Sequence, residues 1–332
     1  MGSPSVTGRV TAQEHSRTPS TNRQAGWSDI GAIRRESRRY RAGDKLPLMT
    51  QRSDVGFSSL GVTLRGWLYE TAGQPSPGVV MAHGLSAVKE MFLDDYAAAF
   101  AEAGFTTLAY DHFGFGASDG EPRQSPSPRL QQQGYRDAIS WLAAVPGVDP
   151  AGIGIWGSSF SGGHVVTLCA EDLPIAAGVA QVPFLAEGGP EPPAGVLEAI
   201  GERAADPLAT VPATTDVDDG VGVMYLDGSH AFFTATAEKR APAWRNELLV
   251  AGFLEAADWR PFDDLARSKV PLLVIAAHGD MLTPPGPLLA MEPKPPHVEI
   301  VEIPGNHFHP YEAGFEASSG AAIAFFQRHL GG

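Results

Sequence analysis

The sequence is poor in cysteine, since Cys169 is the only one among 332 residues. A single cysteine excludes an internal disulfide, and it also excludes a metal cluster held by several thiolates. Proteins without disulfides are typical of the reducing cytosol. The cysteine content therefore favours a cytoplasmic protein.

Long apolar runs are also missing. No stretch of the chain approaches the ~20 consecutive apolar residues that a membrane-spanning helix needs, so the sequence predicts no membrane span. Basic residues near the N-terminus lack the apolar segment that follows them in a secretory signal. The polar residues after Arg34 and Arg35 also argue against twin-arginine export. We expect a cytoplasmic protein that does not act at a membrane.

Positive charge is scarce in most of the chain. Residues 1–50 contain nine Lys and Arg against four Asp and Glu, whereas the rest of the chain contains 15 against 34. An acidic globular body repels phosphate backbones, which argues against a nucleic acid partner. The expected partner is a small-molecule substrate, and a homo-oligomer is compatible with the sequence.

Composition and periodicity divide the chain into three parts. Residues 1–48 are rich in Ser, Thr, Arg and Gly without periodicity, which predicts a flexible basic tail. Residues 49–183 and 267–332 alternate between apolar strands and helix-length segments, so we predict a mostly parallel, doubly wound α/β sheet. Residues 184–266 lack a buried-strand signal and are interpreted as a helical cap over the carboxyl edge of that sheet.

The expected elements can be given by their ranges. Strands are predicted within 55–70 (two, joined through Gly61), and at 78–84, 105–111, 152–157, 176–183, 270–278 and 298–304. Helices are predicted at 89–103, 130–145, from about Ser159, at about 192–205 and 244–257, and at 313–329.

A sharp strand-to-helix turn is predicted within IGIWGSSFSGGH, residues 153–164. Such a turn needs small residues two positions before and after an exposed nucleophile, and Gly157 and Ser161 stand at those positions around Ser159. Ser161 has a competing claim, because Ser159 precedes it and Gly163 follows it at the same spacing. We favour Ser159, since the apolar strand ends at Trp156. A Gly/Ser-rich turn without chemistry, or one that binds phosphate, is the alternative.

A serine hydroxyl becomes a good nucleophile only beside a base that a third group orients. Asp280 follows the strand predicted at 270–278, and His307 follows the one predicted at 298–304. The carboxyl ends of parallel strands meet at one edge of a sheet, which predicts that both residues lie near Ser159. His309 remains an alternative base.

A tetrahedral oxyanion needs two N–H donors. One is expected from the backbone N–H of Phe160, directly after the favoured serine. The other is expected from Leu85 in the sequence HGLS, which follows the apolar residues GVVMA of the strand predicted at 78–84. His83 and His164 are interpreted as structural histidines.

Five motifs follow one another along about the last 280 residues: HGLSAVKEMFLD, DHFGFGASDGEPR, WGSSFSGGH, AHGDMLTPP and IPGNHF. Together they resemble the α/β-hydrolase superfamily, in the superfamily's order and spacing. They are most similar to bacterial hydrolases related to polyketide hydrolases and to transferases of secondary metabolism, which WRNE at 244–247 also resembles. Phe113 stands where that group often has arginine, and His309 where it often has an acidic residue.

The resemblance and the residues together predict a serine hydrolase that cleaves an ester or thioester through an acyl-enzyme, without metal or organic cofactor. Tyr225, Phe232 and Trp244 are expected to bind substrate, in a segment that also contains Phe233, Phe253 and Trp259. One alternative is acyl transfer, cyclisation or elimination on a polyketide-like intermediate by the same triad. The other is a non-catalytic ligand-binding protein, against which the intact triad counts.

Overall fold

The computed structural model describes residues 2, 51–71, 75–189, 194–216 and 222–331. Contacts divide the chain into two units, Met1–Lys45 and Leu46–Gly332, and every element below lies in the second. The tail predicted at 1–48 lies outside the described residues apart from Gly2.

Ten strands are described, and eight of them form one sheet in the order β1-β2-β4-β3-β5-β6-β9-β10. Among the described strands of this sheet only β2 runs against the others, so the expected mostly parallel sheet is confirmed. The eight strands are β1 (Gln51–Ser59), β2 (Val62–Glu70), β3 (Ser76–Ala82), β4 (Thr106–Tyr110), β5 (Val148–Ser158), β6 (Ala177–Gln181), β9 (Leu272–Ala277) and β10 (Val298–Ile303).

Helices cover both faces of the sheet because the strand side chains alternate between two apolar cores. Within β3, Val80 packs in the core that contains the inner faces of α2 (Pro128–Ala143) and α3 (Phe160–Cys169). Its neighbour Val79 packs in the opposite core with α1 (Leu93–Glu102) and α8 (Phe315–His329). Alternation along a strand thus divides the burial between two layers of helices.

The segment predicted as a cap contains short helices and one small antiparallel pair of strands. The helix expected at 192–205 corresponds to α4, but the one expected at 244–257 is shorter because Leu248 and Leu249 pair as a strand. Helix α5 was not predicted, since its buried face includes Ser229 and Thr236 and so lacks an apolar stripe. The elements are α4 (Ala194–Arg203), β7 (Thr210–Val211), α5 (Ser229–Arg240), β8 (Leu248–Leu249), α6 (Val250–Glu255) and two 3-10 helices (Ala256–Asp258 and Pro261–Arg267).

Two short elements lie in the loops that follow β9 and β10. Helix α7 (Gly286–Leu289) follows β9, and a 3-10 turn (His309–Tyr311) follows β10. Within the described ranges, none of the helices has both the length and the apolar character needed to cross a membrane.

Phe326 tests the packing of α8 on the sheet. Its ring is fully buried and lies 5.8 Å from that of Phe100 and 5.9 Å from that of Phe105. We expect Phe326→Ala to lower the free energy of unfolding by about 3–5 kcal/mol, because a buried aromatic leaves a cavity. Urea denaturation measures this, with Gln327→Ala, an exposed neighbour on the same helix, as control. Equal losses in the two variants would contradict the packing described.

Candidate active site

Ser159 stands at a strained turn between β5 and α3. Its backbone has φ 57° and ψ −119°, a conformation that costs a residue with a side chain about 1–3 kcal/mol. The turn is held by hydrogen bonds, since the Ser159 N–H donates to the Gln181 carbonyl at 2.9 Å and the Ser159 carbonyl accepts from Phe184 at 2.8 Å. A Cβ on Gly157 would lie 2.3 Å from the Ser161 carbonyl oxygen, so only glycine fits there.

His307 connects Ser159 to Asp280 through its two ring nitrogens. The Nε2 atom lies 3.0 Å from Ser159 Oγ, and Nδ1 lies 2.7 Å from Asp280 Oδ2. Asp280 and His307 are buried, at 4% and 2% exposed. The structure therefore brings the three sequence-predicted residues into one hydrogen-bonded chain at the carboxyl edge of the sheet.

The Asp280 carboxylate is saturated with donors. Its Oδ1 accepts the N–H groups of Leu282 and Thr283 at 2.9 and 2.7 Å, and its Oδ2 accepts the Thr283 hydroxyl at 2.7 Å. Burial raises the pKa of Asp280, but the attraction of His307 and the hydrogen bonds from His307 and Thr283 together outweigh it. The pKa of Asp280 consequently lies below its ordinary value, and the group is ionised at neutral pH.

The rival residues of the sequence analysis occupy different environments. Ser161 is buried, its hydroxyl donates to the His83 carbonyl at 2.5 Å, and its oxygen accepts from His112 Nε2 at 2.8 Å. The Ser161 hydroxyl is thus already hydrogen-bonded to His83 and to His112. The His309 ring packs against Gly305, where an added Cβ would lie 2.3 Å from it, whereas the His307 ring is the one hydrogen-bonded to Ser159.

The loop that follows β3 lies close against Ser159. A Cβ on Gly84 would lie 3.0 Å from Ser159 Cβ, a tight contact that the absence of a side chain avoids. Leu85 follows in that loop, and Phe160 is the first residue of α3, where a backbone N–H has no partner within the helix. Leu85 and Phe160 both line a cavity that also contains Ser159.

A buried ion pair that was missed in the sequence anchors this loop. The Lys89 Nζ lies 2.7 Å from Asp111 Oδ2, and the Lys89 N–H donates to Asp111 Oδ1 at 2.8 Å. Burial lowers the pKa of Lys89, but Asp111 and Glu90 outweigh this effect, so the pKa lies above its ordinary value. The two residues lie in separate motifs, and only the fold brings the ammonium to the carboxylate.

Three buried histidines pack beneath the turn without joining the chain of His307. His83 Nε2 accepts the His112 N–H at 3.2 Å, so the proton on Nδ1 donates to the Gly84 carbonyl at 2.9 Å. Burial lowers the pKa of His83, His112 and His164, that of His164 to about 3. Neutral imidazoles suit the structural interpretation of His83 and His164.

Two cavities meet at Ser159. The smaller, of about 30 Å³, is lined by His307 and by aromatic side chains that include Phe232, Phe308 and Tyr311. The larger, of about 380 Å³, extends under the segment predicted as a cap. The size of the larger cavity is within the range of small-molecule sites.

The residues expected to bind substrate are distributed unequally. Phe232 lines the smaller cavity and Tyr225 the larger. Trp244 lines neither of these two cavities. Its indole N–H donates to the Ser86 carbonyl at 3.0 Å and its ring stacks on Phe233 at 5.5 Å, so it attaches its segment to the loop after β3.

Asp227 is a further residue that the sequence did not indicate. It lies between β7 and α5 with φ 58°, and its carboxylate accepts the backbone N–H groups of Met281 at 2.8 Å and His307 at 3.4 Å. Its carbonyl accepts from the Asn306 side chain at 3.2 Å. Asp227 thereby bridges the loops that carry Asp280 and His307, a contact with no local sequence signal.

The chain belongs to the alpha/beta hydrolase family, because the family model matches residues 79–318, most of its length. Among the described residues, no three His, Cys, Asp or Glu side chains are grouped to hold a metal ion.

Two curated relatives have names that bear on chemistry. Polyketide transferase grgF from Penicillium sp. is 41% identical over 157 residues, which are 46% of this chain and 53% of that protein. A thiohydrolase from Eupenicillium brefeldianum is 29% identical over 248 residues, 71% of this chain and 80% of that protein. The chain thus spans about half the length of the first relative and most of the second.

Solved structures agree with the family. The crystal structure of the alpha/beta hydrolase GrgF from Penicillium sp. sh18 has a TM-score of 0.72 at 27% identity, covering 84% of this chain and 99% of that one. The structure of DcsB in complex with its substrate analogue has a TM-score of 0.73 at 26% identity, covering 85% and 100%. The expected α/β-hydrolase fold is therefore confirmed.

The lowered pKa of Asp280 predicts a pH-dependent stability. A carboxyl whose folded pKa is depressed stabilises the fold above its unfolded pKa of about 4, and this stabilisation is lost as pH falls through the folded pKa. We expect the unfolding free energy of Asp280→Asn to differ most from that of the parent near neutral pH, with a difference that shrinks below pH ~4. Urea denaturation across pH measures this difference, and Asp263→Asn, at an exposed position, controls for the lost charge. A difference that is constant or grows in acid would contradict the assignment.

Proposed function

We propose that this protein is a serine hydrolase that cleaves an ester or thioester of a small molecule through an acyl-enzyme. The observation that carries the proposal is the hydrogen-bonded chain from Ser159 Oγ through His307 to Asp280 at the wall of a 380 Å³ cavity. A serine beside a buried, carboxylate-bound histidine is the arrangement that activates a hydroxyl for attack.

The first half of the reaction follows from the donor and acceptor atoms. His307 Nε2 takes the proton of Ser159 as its oxygen attacks the acyl carbonyl, and Asp280 holds the proton on Nδ1 and stabilises the imidazolium. The N–H groups of Leu85 and Phe160 stabilise the oxyanion, each worth about 3 kcal/mol in such sites. His307 then protonates the leaving alcohol or thiol.

The second half needs only water and the same histidine. His307 takes a proton from water, whose oxygen attacks the acyl-enzyme, and returns the proton to Ser159 as the acid leaves. This sequence requires neither metal nor organic cofactor. A thioester substrate is supported by the relative named thiohydrolase.

Asp227 and the Lys89–Asp111 pair are proposed as positioning groups. Asp227 fixes the loops of the acid and the base relative to one another. The ion pair fixes the loop of Leu85, and with it one donor of the oxyanion site.

Acyl transfer is the second candidate function, favoured by the relative named polyketide transferase. The two reactions share the acyl-enzyme and differ in the acceptor that attacks it. Turnover in ¹⁸O-labelled water distinguishes them, because hydrolysis places one solvent oxygen in the product acid and transfer or cyclisation places none. A cytoplasmic location and a small-molecule partner complete the proposal.

The identity of the nucleophile is tested by two serine variants. Ser159→Ala should abolish turnover of aryl esters and labelling by a fluorophosphonate while the protein stays folded, because the lost hydroxyl faces a cavity. Ser161→Ala should lower the melting temperature, since a buried hydrogen-bond bridge is lost, but it should retain labelling. Labelling that survives in Ser159→Ala and disappears in Ser161→Ala would reverse the assignment.

The two histidines provide a parallel test of the base. His307→Ala should reduce kcat by orders of magnitude, because no group remains to take the serine proton. His309→Ala should cost much less, since its ring packs beside Gly305 and is not the one bonded to Ser159. Steady-state kinetics with one aryl ester measure both variants. A greater loss in His309→Ala would transfer the role to that residue.

A further inference from the structure

One charged side chain lines the larger cavity. Of the described residues in its wall, only Arg260 is ionised, and most of the others present apolar side chains or backbone. The apolar members include Leu85, Phe160, Phe184, Val223, Met224, Phe253 and Leu282.

The other polar side chains in that wall belong to Ser159, Thr283 and Tyr225, and none of these is a charged residue type. Those of Ser159 and Thr283 take part in the hydrogen bonds around His307 and Asp280. The Ser159 hydroxyl is hydrogen-bonded to His307 at 3.0 Å. The Thr283 hydroxyl lies 2.7 Å from Asp280 Oδ2 and 3.0 Å from the Val182 carbonyl. Arg260 is therefore the group in this wall that is suited to bind a charged part of a substrate.

Arg260 is held near Ser159 by its two sequence neighbours. Trp259 stacks on His164 at 4.5 Å and meets Phe160, the residue next to Ser159, edge-on at 5.0 Å. Pro261 is buried against the first turn of α3, where a Cβ on Gly163 would lie 3.2 Å from its ring. The backbone of Arg260 is thus fixed to the helix that begins at the nucleophile.

The guanidinium of Arg260 is not neutralised within the part of the chain that the structure describes. Its Nη1 donates to the carbonyls of Ala257 at 2.6 Å and Trp259 at 3.1 Å, and no described carboxylate lies within ion-pair distance. Nε and Nη2 donate to none of the described residues, and a guanidinium carries five N–H donors in all. A cation that no described carboxylate neutralises, in a protein with 38 Asp and Glu against 24 Lys and Arg, is suited to an anion.

We propose that the substrate carries an anionic group, a carboxylate or a phosphate, at the far end of the portion that fills the larger cavity, and that Arg260 selects for it. The apolar residues that line the same cavity as Ser159 and Arg260 then accommodate a hydrocarbon spacer between the scissile carbonyl and the anion. A guanidinium forms paired, charge-assisted hydrogen bonds with either anion. The inference rests on the proposed serine chemistry and adds the substrate class.

The anionic group belongs either to the acyl part or to the leaving group of the substrate, and two pairs of esters distinguish these cases. The first pair is the 4-nitrophenyl monoester of octanedioic acid and its methyl ester, which differ in a carboxylate on the acyl side. The second is the octanoyl ester of 4-hydroxyphenyl phosphate and that of 4-methoxyphenol, which differ in a phosphate on the leaving side. In each pair kcat/KM is measured for the parent protein and for Arg260→Gln, Arg260→Lys and Arg328→Gln.

Because Arg260 is exposed, we expect the parent to prefer the anionic member of one pair by about fivefold in kcat/KM, the size of effect that an exposed charge pair gives. The preference should fall to about one in Arg260→Gln and persist in part in Arg260→Lys. Arg328→Gln removes the same charge on α8, where Arg328 pairs with Glu299, and should leave both esters and their ratio unchanged. The pair that shows the preference identifies the source of the anion.

Two different failures can be told apart. Hydrolysis of all four esters with equal kcat/KM within each pair, or a preference that survives in Arg260→Gln, would overturn the role of Arg260 and leave the hydrolase proposal intact. Absence of both turnover and fluorophosphonate labelling of Ser159 would overturn the proposed function itself. If Ser159 is labelled without turnover, labelling rates of alkylphosphonates with and without a terminal carboxylate replace kcat/KM, and equal rates overturn the inference.

Discussion

The left-handed turn at Ser159 is the constraint on which the rest of the site depends. A residue with a side chain at φ 57° is unfavourable unless its surroundings impose it. Here β5 and α3 impose it, because Gly157 allows the helix to return against the strand and the Gln181 and Phe184 backbones bond to both ends of the turn. The Ser159 side chain lies at the carboxyl edge of the sheet, where it lines both cavities.

The loops around that turn contain buried polar and charged groups that are hydrogen-bonded or ion-paired with one another. Asp280 is surrounded by donors, Lys89 meets Asp111, and the Ser161 hydroxyl bridges His83 and His112. An unpaired charge or hydroxyl at these depths is expensive, so each pair fixes the loop that carries it. The loops after β3, β4, β9 and β10 are positioned in this way although they contain little regular secondary structure. Paired polar groups thus hold the carboxyl edge together with an apolar cluster that includes Val88, Phe115 and Phe308.

The segment between β6 and β9 contributes attachments to the site and part of the wall of the larger cavity. Trp244 and Asp227 connect it to the loops beside the turn, and Trp259 and Pro261 connect it to α3. Between these attachments lies the larger cavity, whose wall is mainly apolar apart from Arg260. Under the proposed function, such an arrangement would separate the atoms that react from the atoms that bind the rest of the substrate, so that specificity could change without change to Ser159, His307 and Asp280.

The sequence by itself predicted the sheet, its main helices and the candidate residues Ser159, Asp280 and His307, since strand periodicity, small residues around a turn and strand-end loops are local signals. It favoured Ser159 over Ser161 and kept His309 as an alternative to His307, because spacing does not report which hydroxyl is buried in a network and which ring faces the turn. Only the tertiary structure decided those contacts, and it alone revealed Asp227, the Lys89–Asp111 pair and Arg260 in the cavity wall. It also placed Trp244 in a packing role beside Phe233, outside the walls of the two cavities at Ser159. These residues are far apart in the chain, and pairing between distant polar groups leaves no periodic trace in the sequence.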